Sequence, residues 1–294
     1  YSDTDLEDAY NADRNSYDRV NYESVTVSGM AESTTDAEGN TVEPTEAETA
    51  AAMEAAKAKA EEILAACKGG ASLESLADPD NGVTYSHPET ASYASNPTLD
   101  WVFDDARREG DTQVIENSSS YTVALFHSKS RSEYNTIDIR HVLIRPEETT
   151  LSSEAEGYQA DVDAKRADAK AKAEELYAQW QSGAATEDSF ADLARENSAD
   201  GNAAEGGIYT EVYQGQMVPT FNDWCFDASR QPGDSGIVET DYGYHIMYFV
   251  GQSTPYWKVQ VRDNLTNTEM DEWYMGFTQD HTIEKNDSGM KYVG

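Results

Sequence analysis

The sequence predicts an α+β protein that contains two copies of one domain, each an antiparallel four-stranded sheet flanked by helices. The first observation is an internal repeat, because the run Ala-Lys-Ala-Lys-Ala-Glu-Glu occurs at 56–62 and again at 169–175. The second is that Asp-Trp-Val-Phe-Asp at 100–104 returns as Asp-Trp-Cys-Phe-Asp at 223–227. A spacing of more than a hundred residues is too long for one unit of a solenoid. The repeat therefore indicates a duplicated domain, for which 294 residues leave enough chain.

The first copy, which we place at 20–130, opens on a strand and continues into a long helix. Residues 22–27 alternate in polarity and are rich in β-branched side chains, which is typical of a strand. Residues 46–67 interleave Ala with Glu and Lys, a composition of high helix propensity. Segment 30–45 is rich in turn residues, and the segment between 77 and 98 has no clear pattern. The remaining predicted elements are helices at 72–77 and 98–108 and strands at 113–116 and 121–126.

The second copy, placed at 136–252, repeats this order with clearer strands. An acidic loop at 146–157 and a Gly-rich loop at 200–207 interrupt it. Its predicted elements are a strand at 137–144, helices at 160–182 and 190–194, a strand at 208–212, a further element at 217–226, and a hairpin of strands at 236–240 and 244–250 around the turn 241–243. The listed elements read in both copies as a strand, then helices, then a closing pair of strands, and the fold predicted for each copy is β-α3-β-α-β2, an antiparallel sheet with helices against it.

Short helical segments are predicted at both termini. Residues 1–19 form an N-terminal stub in which Leu6, Tyr10 and Tyr17 recur at helix-compatible spacing, as in the end of a helix from a preceding segment. Residues 253–294 form a C-terminal tail with one helix, which we expect to pack on a neighbouring element. The apolar stripe of that helix consists of Met270, Trp273, Tyr274 and Phe277.

The charge of the chain excludes some partners. It carries 56 acidic and 21 basic residues, a formal net charge of −35, and such a field repels nucleic acid and anionic membrane surfaces. No apolar run approaches the length that spans a bilayer. A chain that begins at Tyr1 rather than Met is compatible with removal of a signal or a membrane anchor, so a native anchor that is absent from this chain stays possible.

Several linked motifs of the second copy are more specific. They are, in chain order, Arg-His-Val-Leu-Ile at 140–144, Phe-Ala-Asp-Leu-Ala at 190–194, Ser198 with Asp200, Gly-Gly at 206–207, Gly-Gln-Met-Val-Pro-Thr-Phe at 215–221 and Thr-Asp-Tyr-Gly-Tyr-His-Ile at 240–246. In these motifs residues 137–250 resemble the parvulin family of peptidyl-prolyl cis-trans isomerases. The duplication and the helical termini are similar to those of extracytoplasmic bacterial foldases built on parvulin domains.

The resemblance implies a catalytic floor in the second copy. His141 and His245, on adjacent central strands, would join the hydroxyl of Thr240 in a hydrogen-bonded floor beneath the substrate, and Asp200 would face the substrate amide. Taken singly, each of these residues has a plainer interpretation. A histidine pair on central strands is compatible with a satisfied core network, and an Asp in a Gly-Asn context is more often a turn residue. Their joint occurrence favours the functional interpretation.

The resemblance also implies an apolar pocket for the prolyl ring. Met217 and Phe221 match its lining, although alone they would more often be ordinary core residues. After Gly-Gly the family usually continues Asp-Leu-Gly, whereas this chain has Ile208, Tyr209 and Thr210. Tyr209 therefore takes a position usually held by Leu, which predicts a larger and partly polar wall, and the loss of the last Gly predicts a different turn.

The first copy departs from the family at the same positions. Aligned on the repeats, Ser24 and Thr122 stand where the second copy has its two histidines, and Ala94 and Thr98 stand where it has its two pocket residues. A serine and a threonine cannot rebuild a histidine floor. We therefore predict that catalysis belongs to the second copy, and that the first binds client chains or braces its neighbour.

Two functions remain open from the sequence. The first is peptidyl-prolyl cis-trans isomerisation that assists the folding of exported proteins, acting outside the cytoplasm on unfolded or partly folded chains with X-Pro bonds. The alternative is a non-catalytic holdase that binds extended polypeptide. Isomerisation breaks no bond, so the resemblance implies no cofactor and no metal, and the other histidines, His87, His127 and His281, lack partners at metal-ligand spacing. Arg145 is followed by Glu147 and Glu148, which predicts no preference for phosphorylated substrates.

Overall fold

The computed structural model describes residues 1–280, and the rest of the predicted tail, with His281, lies outside the described residues. The chain divides into two compact units, Tyr1–Ser132 and Glu133 onward. Within the described residues no helix combines the length and the apolar character that crossing a bilayer requires.

The first unit contains one four-stranded sheet, a small hairpin and three α-helices. Its elements are α1 Asp3–Ala12, β1 Asp18–Ser28, β2 Thr34–Thr35, β3 Thr41–Val42, α2 Glu46–Lys68, β4 Val83–Ser86, α3 Pro97–Val102, β5 Thr112–Asn117 and β6 Ser120–Arg131. Helix α2 begins at a capping box in which Thr45 and Glu48 satisfy each other's backbone N–H groups. The stub predicted at 1–19 contributes buried side chains, Leu6 and Tyr10, to this unit.

The second unit contains a second four-stranded sheet and four α-helices in its described part. Its elements are β7 Asn135–Ile144, α4 Tyr158–Ser182, α5 Glu187–Asn197, β8 Ile208–Val212, α6 Pro219–Cys225, β9 Ser235–Thr240, β10 Gly243–Pro255 and α7 Tyr256–Asp280. A turn of 3-10 helix at Ala203–Glu205 precedes β8. The order β-α3-β-α-β2 predicted for this copy is therefore confirmed, with the third helix reduced to that turn.

The two sheets have the same topology. The strand order is β4-β1-β6-β5 in the first unit and β8-β7-β10-β9 in the second, and every pair is antiparallel. The central pairs also share their register, since Val27 faces Tyr121 as Ile144 faces Tyr244. The predicted α+β class with a four-stranded antiparallel sheet in each copy is confirmed.

Side chains cover the second sheet on both faces. One face packs against α4 and α5, with Val142, Ile246, Phe190 and Trp180 in one cluster. The other face packs against α6, with Ile139, Met247 and Phe221 in a second cluster. Because neighbouring residues of a strand point to opposite faces, His141 and His245 lie on the α6 face.

Several sequence-based boundaries were wrong. The helix predicted at 98–108 ends at Val102, because the backbone turns at Asp104, whose carboxylate accepts from the Ala106 N–H at 2.9 Å. The helix predicted at 72–77 is a single 3-10 turn, Glu74–Leu76. The unpatterned segment after 77 contains β4, whose four residues are too few to show an alternating pattern.

The C-terminal helix does not bury the stripe that was expected to pack. Met270 is 63% exposed and Trp273 is 70% exposed, and Tyr274 and Phe277 are also exposed. Burial is concentrated in the first two turns of α7, at Trp257, Val259 and Val261. The apolar spacing therefore predicted the helix correctly, but the expectation that this stripe is covered was wrong.

Candidate active site

Two buried imidazoles lie side by side on the central strands of the second sheet. His141 on β7 and His245 on β10 are 3% and 5% exposed. Their Nδ1 atoms are 3.1 Å apart and their rings are nearly parallel, with centroids 5.3 Å apart. The antiparallel register places them diagonally, since His141 faces Met247 and His245 faces Leu143. Each imidazole thus satisfies one nitrogen of the other in a place that water does not reach.

Thr240 is hydrogen-bonded to Nε2 of His245, the ring nitrogen that does not contact His141. It is the last residue of β9, and the tight turn that follows brings it beside His245, with Oγ1 2.8 Å from Nε2. The same oxygen accepts a hydrogen bond from the Tyr242 backbone N–H at 3.1 Å. That backbone bond fixes the hydroxyl so that its proton is available to His245.

A loop after α5 carries Asp200 to the other end of the pair. The Ser198 hydroxyl accepts from the Leu143 N–H at 3.1 Å and from the Asp200 N–H at 3.2 Å. The Ala199 N–H donates to the Leu143 carbonyl at 2.9 Å. These bonds fasten the loop to the end of β7, and Asp200 Oδ2 then lies 3.2 Å from His141 Nε2.

Tyr209 on β8 makes a contact that the sequence did not reveal. Its hydroxyl lies 2.8 Å from Asp200 Oδ2, and its ring centroid lies 5.3 Å from that of His141. Burial and the Asp200 carboxylate raise the pKa of Tyr209 to about 12, so the phenol is protonated and donates. The only signal in the sequence at this position was that Tyr209 replaces the Leu that is usual in the family.

The carboxylate of Asp200 fixes the direction of the whole chain of hydrogen bonds. Burial opposes its ionisation, but the hydrogen bond from Tyr209 and the interaction with His141 outweigh burial and lower the pKa of Asp200. An ionised carboxylate only accepts, so His141 carries its proton on Nε2 and accepts at Nδ1. His245 then donates from Nδ1 and accepts at Nε2 from the Thr240 hydroxyl. Donors and acceptors match at every link of this chain.

Both imidazoles are neutral in this arrangement. Burial lowers the pKa of His141, although Asp200 opposes the shift. Burial also lowers the pKa of His245, to about 4, with a further contribution from His141. The chain from Thr240 to Asp200 therefore carries one negative charge, at the end that is half-buried beside the cleft.

Phe221 closes the floor with an apolar ring. It comes from α6 and meets both imidazoles in T-shaped contacts, with centroids 5.4 Å from His141 and 5.2 Å from His245. Phe221 is itself buried, whereas Met217 and Tyr209 pack against the same cluster and stay half-buried. The predicted pocket residues thus lie together in one cluster, with Phe221 buried and the other two partly exposed.

Gly207 allows the loop to pass very close to the first histidine. Its φ is +67°, and a Cβ at this position would lie 2.2 Å from the His141 carbonyl oxygen. The Gly207 carbonyl accepts from the His141 N–H at 2.9 Å. A side chain here would push β8 away from β7, so the Gly-Gly motif has a direct steric reason.

The strand after the Gly-Gly motif has a strained position one residue beyond Thr210, which stands where the family usually has its last Gly. Glu211, on β8, adopts a left-handed conformation with φ +53°. Its N–H donates to the Asp138 carboxylate at 2.8 Å, and its own carboxylate receives two hydrogen bonds from Arg262 of α7, at 2.9 and 2.7 Å. A bidentate ion pair therefore supports the strained position.

The first unit has a different polar network at the matching positions. Thr122, at the register position of His245, contacts the Thr26 hydroxyl at 3.0 Å and accepts from Asn117 at 3.0 Å. Ser24, at the position of His141, is buried as well. Thr98 replaces the Phe ring and donates to Asn117 at 3.4 Å. The matching positions thus hold hydroxyls and an amide, without a titratable pair.

The structure brings His87 and His127 together, although neither has a partner at metal-ligand spacing in the sequence. In the first unit these two histidines and Glu23 bring one potential ligand atom each to within 4.8 Å of one another. The three residues come from distant parts of the chain, so no local spacing in the sequence predicts the cluster.

We predict that the His245 ring titrates near pH 4, well below the value of about 6.5 for a solvated imidazole. Because the folded-state pKa lies below the unfolded one, the unfolded chain binds a proton first as the pH falls. The free energy of unfolding should therefore decrease as the pH falls from about 6.5 to about 4. NMR titration of the ring and urea unfolding at several pH values measure both effects.

The matched variant is His245→Thr, which introduces the residue of the first unit. It should weaken the dependence of the unfolding free energy on pH in this range. A His245 ring that titrates near the solvated value would contradict the neutral chain described above.

Several known proteins are similar to parts of this chain. Foldase protein PrsA 1 of Listeria innocua is 25% identical over 142 residues, 47% of this chain and 39% of that protein. Chaperone SurA of Nitrosococcus oceani is 25% identical over 257 residues, 79% of this chain and 54% of that protein. The chain thus spans about half of these relatives' length or less. The crystal structure of PrsA from Bacillus subtilis has 24% identity and a TM-score of 0.32, covering 53% of this chain and 54% of that one.

Residues 123–252 match the family described as the PPIC-type PPIASE domain. The match begins in β6 and ends in β10, so it includes every residue of the histidine chain and of the apolar pocket. The chain therefore contains a parvulin domain, a member of the PPIC-type peptidyl-prolyl isomerase family, which falls mainly in its second unit.

Proposed function

We propose that the second unit catalyses cis-trans isomerisation of X-Pro bonds in unfolded or partly folded polypeptides. The observation that carries this proposal is the neutral hydrogen-bonded chain from Thr240 through the two histidines to Asp200, against which the apolar ring of Phe221 packs. We also propose that the protein assists the folding of exported chains outside the cytoplasm, as in the foldases that its motifs resemble.

The reaction requires little chemistry from the protein. Rotation about the amide crosses a barrier of about 18–20 kcal/mol that arises from resonance, and without a catalyst it takes tens of seconds or longer. No bond breaks, so catalysis consists of binding the twisted amide better than either planar form. A pocket that anchors the prolyl ring and excludes water favours the twisted amide, because its charge separation is smaller.

Each part of the site has a role in this scheme. Phe221 and Met217 hold the ring while the carbonyl end rotates. His141 and His245 form a rigid floor, since both nitrogens of each ring already have partners. Asp200, at the half-buried end, disfavours the polarised planar amide by its negative charge.

The surroundings of the site disfavour selection for phosphate. Arg145 is exposed and lies close to Glu147 and Glu148 in the chain. Lys165, on α4, pairs with Asp161 at 3.9 Å. Positive groups near the site are therefore interspersed with acidic ones, whereas phosphate recognition requires a convergent basic cluster.

A holdase function is the second candidate. Its support is the first unit, which keeps the sheet but carries Thr122 and Asn117 in place of a titratable floor. Such a unit could bind an extended chain without rotating its amides. The relative that covers most of this chain is named a chaperone, which agrees with either candidate.

The first test is a prolyl-peptide isomerisation assay on the full chain. Asp200→Ala and His245→Ala should each lower kcat/KM by about a hundredfold or more, because each breaks the directed chain. Thr122→Ala, the matching change in the first unit, should leave kcat/KM unaltered. Unchanged activity in both second-unit variants, or no activity in the wild type alongside suppression of client aggregation, would favour the holdase.

The second test isolates the hydroxyl of Tyr209. Tyr209→Phe keeps the ring in the pocket but removes a hydrogen bond to a charged group, so we expect kcat/KM to decrease about tenfold. Tyr177→Phe is the control. The Tyr177 hydroxyl lies 3.1 Å from the Ser235 hydroxyl and makes no hydrogen bond to the histidine chain. Equal activity of the two variants would mean that Tyr209 serves only as a pocket wall.

The third test concerns the residue before proline. Peptides with phosphoserine or Glu at that position should turn over more slowly than those with Ala or Lys, because the acidic loop repels them. The double change Glu147→Lys and Glu148→Lys should reduce this difference. Faster turnover of phosphopeptides by the wild type would overturn the prediction.

A further inference from the structure

We propose that Glu23, His87 and His127 of the first unit form a binding site for a divalent transition-metal ion, with Zn²⁺ as the best match. Each residue offers one ligand atom, and these atoms lie within 4.8 Å of one another. The site is independent of isomerase chemistry, since none of its residues belongs to the histidine chain of the second unit.

Two neighbouring strands of the first sheet and the residue that follows a third strand supply the ligands. Glu23 lies on the central strand β1, and His127 lies on its neighbour β6. At His127 the pairing of the two strands is shifted by a bulge, since Asn21 faces Ser128 and Tyr22 faces Phe126. The bulge leaves His127 as the extra residue, and bulges commonly re-aim a side chain at functional positions.

The third ligand is fixed from the other side of β1. His87 directly follows β4, where Ser86 pairs with Ser24. One residue further, the Pro88 carbonyl accepts from the Tyr22 N–H at 3.3 Å. Backbone contacts before and after His87 therefore hold it next to β1, so the cluster results from sheet register rather than from a mobile loop.

The distances are close to those of a zinc site. Nε2 of His127 lies 2.9 Å from Oε1 of Glu23, and the two imidazole centroids are 5.5 Å apart. Ligands about 2.0–2.2 Å from a tetrahedral Zn²⁺ lie roughly 3.2–3.6 Å from one another. Small side-chain rotations are enough to bring the three donors to that spacing.

Asn21 adds a partner outside the three ligands. Its Oδ1 lies 3.0 Å from Nε2 of His87. Histidines that bind metal usually donate their other ring N–H to an oxygen, which fixes the tautomer and the ring orientation. Asn21 can fill this role when His87 binds through Nδ1.

The chemistry of the three donor atoms and their exposure determine which metal ion the site suits. Two imidazoles and one carboxylate suit Zn²⁺, Ni²⁺ or Cu²⁺, whereas Ca²⁺ and Mg²⁺ prefer oxygen ligands. His87 is exposed, and the side chains of His127 and Glu23 keep 31% and 18% of their exposure, so an ion can enter and solvent can complete its coordination. The net charge of −35 raises the local concentration of cations.

The other histidine pair is a poor competitor for metal. His141 and His245 use Nδ1 on each other, and their Nε2 atoms are taken by Asp200 and Thr240. Binding a metal there would break a satisfied buried chain. The exposed cluster of the first unit requires no such loss.

The experiment measures Zn²⁺ binding to the full chain by calorimetry after treatment with a chelator. We expect one equivalent to bind, and the midpoint of thermal unfolding to rise when Zn²⁺ is present, because only the folded state assembles the three ligands. His87→Gln, His127→Gln and Glu23→Gln should each weaken affinity by at least about tenfold. Glu54→Gln, an exposed carboxylate on α2, is the matched control and should bind like the wild type.

His87→Gln is the decisive variant, because an exposed side chain can change without loss of folding, which circular dichroism verifies. The absence of binding at micromolar Zn²⁺ would overturn the proposal. Binding of one equivalent of Zn²⁺ by both the His87→Gln and His127→Gln variants would also overturn it. Loss of Zn²⁺ binding in His245→Gln would do the same. Prolyl isomerase activity, measured in parallel on the zinc-free protein, tests the second unit separately.

Discussion

The ionised carboxylate of Asp200 determines the arrangement of the site in the second unit. A buried imidazole has two nitrogens that need partners, one as donor and one as acceptor, and two adjacent imidazoles remain undirected until one end is fixed. Asp200 fixes that end because it can only accept. The order of protons then follows through His141 and His245 to Thr240. Without the carboxylate, Nε2 of His141 would lose its charged acceptor, and the chain would keep only the neutral hydroxyl of Thr240 at its other end.

The comparison of the two units shows what the duplication kept and what it changed. Strand order and central register are the same, so Ser24 and Thr122 occupy the places of the two histidines. The buried hydroxyl of Thr122 is satisfied by Asn117 and Thr26 through short side chains. A buried polar position must be satisfied in either unit, but only the second does so with groups that can hold a proton in two places. The two units therefore differ at a few positions of the same sheet: the second has titratable imidazoles where the first has hydroxyl groups.

Strand periodicity and the repeat predicted most of the fold. The placement of His141 beside His245 followed from the resemblance to the parvulin family, because alternation within two separate strands does not fix how they pair. The hydroxyl of Tyr209 was not predictable, since its partner depends on how the loop at Ser198 is fastened to β7. Glu23 and His127 are separated by 104 residues, and the bulge that aligns them has no local signature. The exposed stripe of α7 was mispredicted because spacing identifies a helix face and not what covers it.

Helix α7 is connected to the site through the strand that carries Tyr209. Glu211 lies two residues further along β8 and adopts a left-handed conformation that costs a non-glycine residue about 1–2 kcal/mol. A glycine at this position would remove that cost but would provide no carboxylate for Arg262. In this chain the bidentate ion pair offsets the strain and attaches the first turns of α7 to β8. The position of the helix and the position of the Tyr209 hydroxyl against Asp200 therefore depend on the same short strand. The ion pair between Glu211 and Arg262 is thus a structural link between the C-terminal helix and the strand beside the histidine pair.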